Sequence, residues 1–145
     1  MLYEREPVDF NPKFEVSSIF CEVNGEFVLL KRLPNKHQPE KWGVPAGKNE
    51  GQTPLEAVLR EIQEETGIGL NESAVDFFRK VYVRYSDIDF IYHIFHTFLP
   101  KKPEITLNPS EHSEYAWVTP LQALQMNLVE DLDTCIKMFY GIERE

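Results

Sequence analysis

Glu61, Glu64 and Glu65 fall within five residues of TPLEAVLREIQEETGIG, the stretch from Thr53 to Gly69, with Arg60 beside them and Glu56 upstream. On a helix, Glu61 and Glu65 stand one turn apart, nearly above one another, and Glu64 neighbours Glu61. Like charges at that spacing repel by a few tenths of a kcal/mol. The far end of a helix is also its negative pole, where each exposed carboxylate costs about 0.3–1 kcal/mol more. A solvated acidic face is one reading of this cluster. A cation held against the carboxylates is the other. Mg²⁺ suits the donors best, because it takes oxygen ligands and favours a few carboxylates together with substrate phosphates. No D-x-D-x-D-G calcium loop is present. His37, His93, His96 and His112 lack zinc-ligand spacing with the cysteines, and His93 and His96 are expected on opposite faces of a strand.

The local sequence specifies the helix that carries the cluster. Thr53 reads as its N-cap, Pro54 as its first residue and Glu56 as the partner in a capping box, with Gly67 as a left-handed C-cap. Leu55, Val58 and Ile62 share one side and are expected to face the core. Upstream, FEVSSIFCEV, Asn24-Gly25 and EFVLLKRL read as a hairpin. Leu33 to Gln52 reads as a long loop with one short extended piece at Trp42 to Val44. A loop of that length in a compact domain is usually functional. Downstream, VDFFRKVYVRY and FIYHIFHTFL flank the turn SDID as a second hairpin. PKKPEITLNPSEHS is read as a second loop, EYAWVT as a short strand, and PLQALQM and VEDLDTCIKMFYGI as closing helices. In the last of these, Leu128, Leu132, Ile136 and Phe139 form an apolar stripe expected to pack on the chain's own sheet.

The 145 residues, 42% hydrophobic and 12% aromatic, fit one domain with an ordinary globular core, read as 1–145 with an N-terminal segment at 1–12. The two cysteines, Cys21 and Cys135, read as reduced thiols of a cytoplasmic protein. The start MLYEREPVDFNPKF is charged and unlike a secretory signal, and no apolar run approaches the ~20 residues of a membrane helix. A net charge of −9 argues against a nucleic-acid backbone as partner. It leaves room for a small phosphorylated substrate reached through a shared cation.

The stretch GKNEGQTPLEAVLREIQEETGI, Gly47 to Ile68, resembles the Nudix box, G-x5-E-x7-R-E-U-x-E-E-x-G-U with U aliphatic. Arg60 to Ile68 match its whole second half, and KWGVPAGK resembles the family's W-x-x-P-G-G-K entry. Two departures stand out. The first box glutamate falls on Gln52, in a loop one residue short, and the paired glycines become Ala46-Gly47. Gln52 keeps an acceptor for Arg60 without the charge, and Glu50 or Glu56 are candidate substitutes.

The resemblance implies an α+β fold, a mixed β-sheet sandwiched between helices. It implies hydrolysis of a nucleoside diphosphate linked to a group X, with Mg²⁺ (Mn²⁺ as substitute) as cofactor. Glu61, Glu64, Glu65, the Ala46 carbonyl and Glu111 are then the expected metal ligands, with Glu114 as the alternative to Glu111. Arg60 orients the carboxylates, Glu64 or Glu61 is the expected general base, and Lys31, Arg32 and Lys48 are expected to reach the phosphates. Trp42 and Trp117 read as packing residues. Phe10, Phe14, Tyr85 and Phe90 are open as base stackers. A nucleoside triphosphate, native or damaged, is the first substrate reading. Dinucleoside polyphosphates, ADP-ribose, nucleotide sugars or capped RNA ends are the second, and a non-catalytic nucleotide-binding module is the third. Monomer and homodimer both remain open.

Overall fold

The turn at Asn24-Gly25 has φ of 49° and 82°, both left-handed, as a tight hairpin requires. It joins β2 (Pro12–Val23) to β3 (Glu26–Arg32), but the two strands pair only at Glu22–Phe27 and Val23–Glu26. They then part. One edge of β2 runs parallel to β7 (Ile88–Phe98) from Pro12 to Glu22, and β5 (Ala46–Lys48) pairs with its Val16–Ser18 segment. β3 turns instead to β8 (His112–Val118) and β4 (Trp42–Gly43). The expected second hairpin is present: β6 (Asp76–Tyr85) and β7 pair antiparallel around Ser86-Asp87. The computed structural model describes residues 1–143.

The result is an eight-stranded mixed sheet with helices on both faces, the α+β sandwich that the resemblance implies. Alternation along β2 distributes the core. Ile19 and Cys21 point to the side of α1 (Pro54–Thr66), where Val58, Ile62, Val28, Leu30 and Phe95 close the cluster. Phe20 points to the other side, against Phe27, Leu29, Ile94 and Ile136 of α3 (Leu132–Tyr140). His93 and His96 lie on opposite faces as expected. His93 Nε2 is 2.6 Å from Glu15 and His96 Nε2 is 3.2 Å from Glu22, which also accepts from the Tyr140 hydroxyl. Trp42 packs on the α3-side cluster and Trp117 on the α1-side cluster. Both cysteines are free and buried. Among the described residues no helix is long and apolar enough to cross a membrane.

Several boundaries differ from the sequence reading. The N-terminal segment contributes β1 (Leu2–Tyr3), which pairs with β6. Ala46-Gly47-Lys48 is a strand, although nothing in its composition favours one; its ladder is supplied by β2. The helix read as PLQALQM is only α2 (Pro120–Ala123), opened as expected by a capping box of Thr119 and Gln122. The last helix begins at Leu132 rather than near Val129, because Leu128 and Val129 extend alongside Trp42 and Asp131 adopts φ 68°.

Candidate active site

The cap residues fix where α1 starts and stops. The Thr53 hydroxyl accepts from the Glu56 N–H, the Glu56 carboxylate accepts from the Thr53 N–H, and Gly67 closes the helix at φ 78°. Glu56 is thereby committed to the cap and is not the stand-in for the missing box glutamate. The helix turns its polar face onto β5. There the Ala46 N–H donates to Glu65 Oε2 at 3.1 Å, and the Glu61 carboxylate lies so close to Gly47 that a β-carbon at that residue would overlap it. Glycine is required at this position for close approach, not for backbone freedom.

Arg60 joins the loop to the helix. Its Nε donates to Gln52 Oε1 at 2.6 Å, Nη2 to the Lys48 carbonyl at 2.9 Å, and Nη1 to Glu61 Oε1 at 2.8 Å. Glu50 and Glu64 lie 3.7 and 3.6 Å from Nη1. Gln52 therefore occupies the place expected of the box glutamate, and Glu50 adds charge at longer range.

The three box glutamates differ sharply in environment. The side chains of Glu61 and Glu65 are 13% and 9% exposed, against 56% for Glu64. Burial raises the pKa of Glu65 well above the ordinary carboxylate value, and the neighbouring Glu61 raises it further. Glu61 is raised as well, chiefly by burial and against the pull of Glu65 and Arg60. Two carboxylates are thus held side by side out of water at a cost to the folded chain. His112 sits beside Glu65, Nε2 3.8 Å from its Oε1. Burial, followed by the charge of Arg32, pushes its pKa down to about 4, so the ring is neutral near pH 7 and this contact is not an ion pair. Sequence reasoning weighed His112 only as a zinc ligand; its place beside Glu111 was the signal for a role at this site.

These groups line a cavity of about 1030 Å³. Ala46, Lys48, Arg32, Arg60, Glu61, Glu64, Glu65 and Glu111 all line it, so most of the expected site residues meet there. Lys31 is not among the lining residues; its ammonium is 3.3 Å from Glu114. Glu111 pairs with Lys36 at 3.5 Å. Of the candidate stackers, Phe14, Tyr85 and Phe90 line the cavity, whereas Phe10 packs edge-on against Tyr82.

The donor set fits a hard divalent cation. Among the described residues no three His, Cys, Asp or Glu side chains form a ready-made cage. An ion that keeps several waters and shares substrate phosphates needs only one or two protein carboxylates. The buried pair of Glu61 and Glu65, whose repulsion a cation offsets, provides them.

A family model described as NUDIX domain matches residues 12–139. A stretch of 51 residues, 34% of this chain, is 43% identical to an 8-oxo-dGTP diphosphatase of Escherichia coli (strain K12) and covers 40% of that protein. Another, 48% of this chain, is 32% identical to an RNA pyrophosphohydrolase of Actinobacillus succinogenes and covers 34% of it. The match thus spans less than half the length of either relative. A MutT protein from Methanosarcina mazei Go1 superposes with a TM-score of 0.77 at 27% identity, over 93% of this chain and 98% of that one.

Proposed function

The chain belongs to the Nudix domain family, and on that premise we propose that it is a divalent-cation-dependent pyrophosphohydrolase of nucleoside diphosphates linked to a group X, with a nucleoside triphosphate, native or damaged, as substrate. The observation that carries this reading is the buried Glu61–Glu65 pair in the wall of the cavity, with Glu61 fixed by Arg60 against Gly47. The presence of all of Arg60, Glu61, Glu64 and Glu65 favours an enzyme over a non-catalytic binding module.

Glu61, Glu65, the Ala46 carbonyl and Glu111 are the residues that would hold Mg²⁺. When bound, the cation neutralises the phosphoanhydride and acidifies water. The chain's own residues do the rest. Arg60 fixes the rotamer of Glu61 through one of its three hydrogen bonds and ties the 48–52 loop to the helix through the other two. Glu64 is the general base: it is solvent-facing, lies 3.6 Å from the Arg60 guanidinium, and can take the proton of the attacking water. Arg32 and Lys48 line the same cavity and bind phosphate oxygens. The neutral ring of His112 shields Glu65 from bulk water.

The relatives' names, an 8-oxo-dGTP diphosphatase and an RNA pyrophosphohydrolase, support anhydride chemistry on nucleotides. The net charge of −9 favours the small substrate over the RNA end. The test is phosphate and pyrophosphate release with Mg²⁺ and with Mn²⁺. The panel is nucleoside triphosphates, oxidised purine triphosphates, dinucleoside polyphosphates, ADP-ribose and nucleotide sugars, with wild type and Glu65→Gln side by side. Release from a triphosphate that is lost in the variant supports the reading. No release from any substrate, or equal release by both proteins, overturns it.

A further inference from the structure

The two oxygens of Glu65 are held differently. Oε2 accepts from the Ala46 N–H at 3.1 Å. Oε1 faces Nε2 of His112 across 3.8 Å, about 1 Å longer than a charge-assisted N–H···O bond. His112 is 8% exposed, and its other nitrogen, Nδ1, is buried with no hydrogen-bond partner among the described residues. The ring therefore has one nitrogen facing a carboxylate and one with nothing to accept from it.

A built turn brings the ring to this place. The N–H groups of Glu111 and His112 both donate to the Asn108 carbonyl, each at 3.0 Å. The Asn108 side chain closes the same turn, its Oδ1 accepting from the Ser110 N–H at 3.1 Å and from the Ser110 hydroxyl at 2.7 Å. Upstream, the Thr106 N–H donates at 2.8 Å to the carbonyl of Thr66, the residue after Glu65. Downstream, His112 enters β8 in register with Arg32. The loop is thus tied to the very end of α1 that carries Glu65. Backbone bonds, rather than contacts of the ring itself, set the imidazole against the carboxylate.

The place of the ring proton follows from these surroundings. A proton on Nδ1 would be a buried donor without an acceptor, and it would turn the Nε2 lone pair toward a carboxylate oxygen. A proton on Nε2 has that oxygen in front of it. We propose that His112 is a positioning residue that carries its proton on Nε2 and donates this N–H to Glu65 Oε1, fixing the carboxylate for a divalent cation. The inference rests on the function proposed above and deepens it. A carboxylate offers about four lone-pair sites, two on each oxygen. Ala46 takes one on Oε2 and His112 takes one on Oε1. The carboxylate then no longer swings, and one site on each oxygen is left for the ion. Partners that orient a metal ligand in this way typically govern metal affinity by about 10- to 100-fold. Shielding Glu65 from water asks only for volume at residue 112, whereas positioning it asks for an N–H.

The experiment compares wild type with His112→Phe, His112→Asn and His112→Gln. Phenylalanine keeps the volume and removes the donor. Glutamine can bring an amide N–H to the place of Nε2, and asparagine, one carbon shorter, reaches only the place of Nδ1. Dissociation constants for Mn²⁺ alone are measured by electron paramagnetic resonance at pH 8 without nucleotide, and Tm is recorded in chelator. Hydrolysis is followed across a Mg²⁺ titration, and two-bond ¹H–¹⁵N correlations of the wild-type histidines read the tautomer. Mn²⁺ binding is expected to weaken by about 10-fold or more in His112→Phe and His112→Asn, and to stay within about 3-fold of wild type in His112→Gln. The Mg²⁺ concentration for half-maximal hydrolysis follows the same order, while kcat at saturating Mg²⁺ recovers. The nitrogen spectrum shows the His112 proton on Nε2. If His112→Phe binds Mn²⁺ as tightly as wild type, the ring is only a shield and the proposal is overturned. Equal weakening in all three variants, a lowered Tm with Mn²⁺ affinity intact, a proton on Nδ1, or a wild type that binds no Mn²⁺ also overturns it. A wild type that binds Mn²⁺ but hydrolyses no nucleotide counts against the function proposed above, and the order of Mn²⁺ affinities then still decides the role of His112.

Discussion

The Glu61 carboxylate rests on the bare backbone of Gly47, in space that any β-carbon at that residue would fill. In Gly47→Ala, therefore, one of the two must move. The obstructing atoms are the tip of a flexible side chain, so the fold survives and Tm drops by only a few degrees. The carboxylate, however, leaves its bond with Arg60 and its place beside Glu65. We expect kcat/KM for the preferred triphosphate to fall by about 10- to 100-fold, consistent with a displacement of about 1 Å at a positioned catalytic group. Steady-state kinetics together with a thermal melt check this. A melt lowered in proportion to activity would instead mean general misfolding.

Glu65 is the clearest conflict between stability and function in the molecule. Its folded-state pKa lies above the unfolded value, so the fold favours the protonated acid. The contribution of Glu65 to the stability of the metal-free protein is then fully present at or below about pH 4.5 and declines as pH rises through the raised pKa. Glu65→Gln removes that decline and keeps an acceptor for the Ala46 N–H. We expect the variant, in chelator at pH 8, to be more stable than wild type by about 1–2 kcal/mol, a Tm gain of about 2–8 °C. Added Mg²⁺ raises the wild-type Tm at pH 8, raises it less at pH 5.5 where protons compete, and leaves the variant unmoved. A variant that melts below wild type in chelator would contradict this.

The parts of the site read directly from the sequence are those encoded by short-range rules. Thr53, Pro54, Glu56 and Gly67 define α1 to the residue, because capping is local chemistry. Once the helix is placed, the clustering of Glu61 and Glu65 follows from its period. What the sequence did not show depends on contacts distant along the chain. The strand at Ala46–Lys48 exists because β2 lends it a ladder. The neutral state of His112 comes from its burial at the start of β8, followed by the charge of Arg32. The late start of α3 depends on a positive φ at Asp131, inside a segment whose apolar spacing reads as helix. The expectation that Lys31 reaches phosphate came from its place at a strand end, but that strand turns it toward Glu114.

Gln52 marks the clearest departure from the family pattern, and its geometry is intact: the 2.6 Å bond from Arg60 Nε lies where a charge-assisted bond would lie. Gln52→Glu restores the charge without moving atoms. Hydrogen bonds to charged groups exceed neutral ones by about 1 kcal/mol. Here part of that gain is screened, because the Arg60 side chain is partly exposed and Glu50, Glu61 and Glu64 already surround it. We expect a midpoint increase worth about 0.5 kcal/mol in urea denaturation and a kcat within about 3-fold of wild type. A loss of stability would mean that Arg60 is saturated with negative charge, and that glutamine is the better residue in this shortened loop.

His112 gives a pH signature of opposite sign to that of Glu65. Its folded-state pKa of about 4 lies below the unfolded value of about 6.5, so the fold favours the neutral ring. Its contribution is fully present above about pH 6.5 and is lost as pH falls toward 4. Glu65 faces the ring, and it and the neighbouring Glu61 gain protons as pH falls, which partly masks the effect in wild type alone. Comparison with His112→Gln isolates it, since the variant keeps a polar group of similar reach that does not titrate. In chelator, the stability of wild type relative to this variant should fall between pH 7 and pH 4 by up to about 3 kcal/mol, since each tenfold difference in proton affinity between the folded and unfolded ring is worth about 1.4 kcal/mol. Urea midpoints at pH 7, 5.5 and 4.5 measure it directly. A difference that stays constant across that range would mean that the ring is as easily protonated in the folded state as in the unfolded one. It would then shield Glu65 as a cation, and the raised carboxylate pKa beside it would have to be abandoned as well.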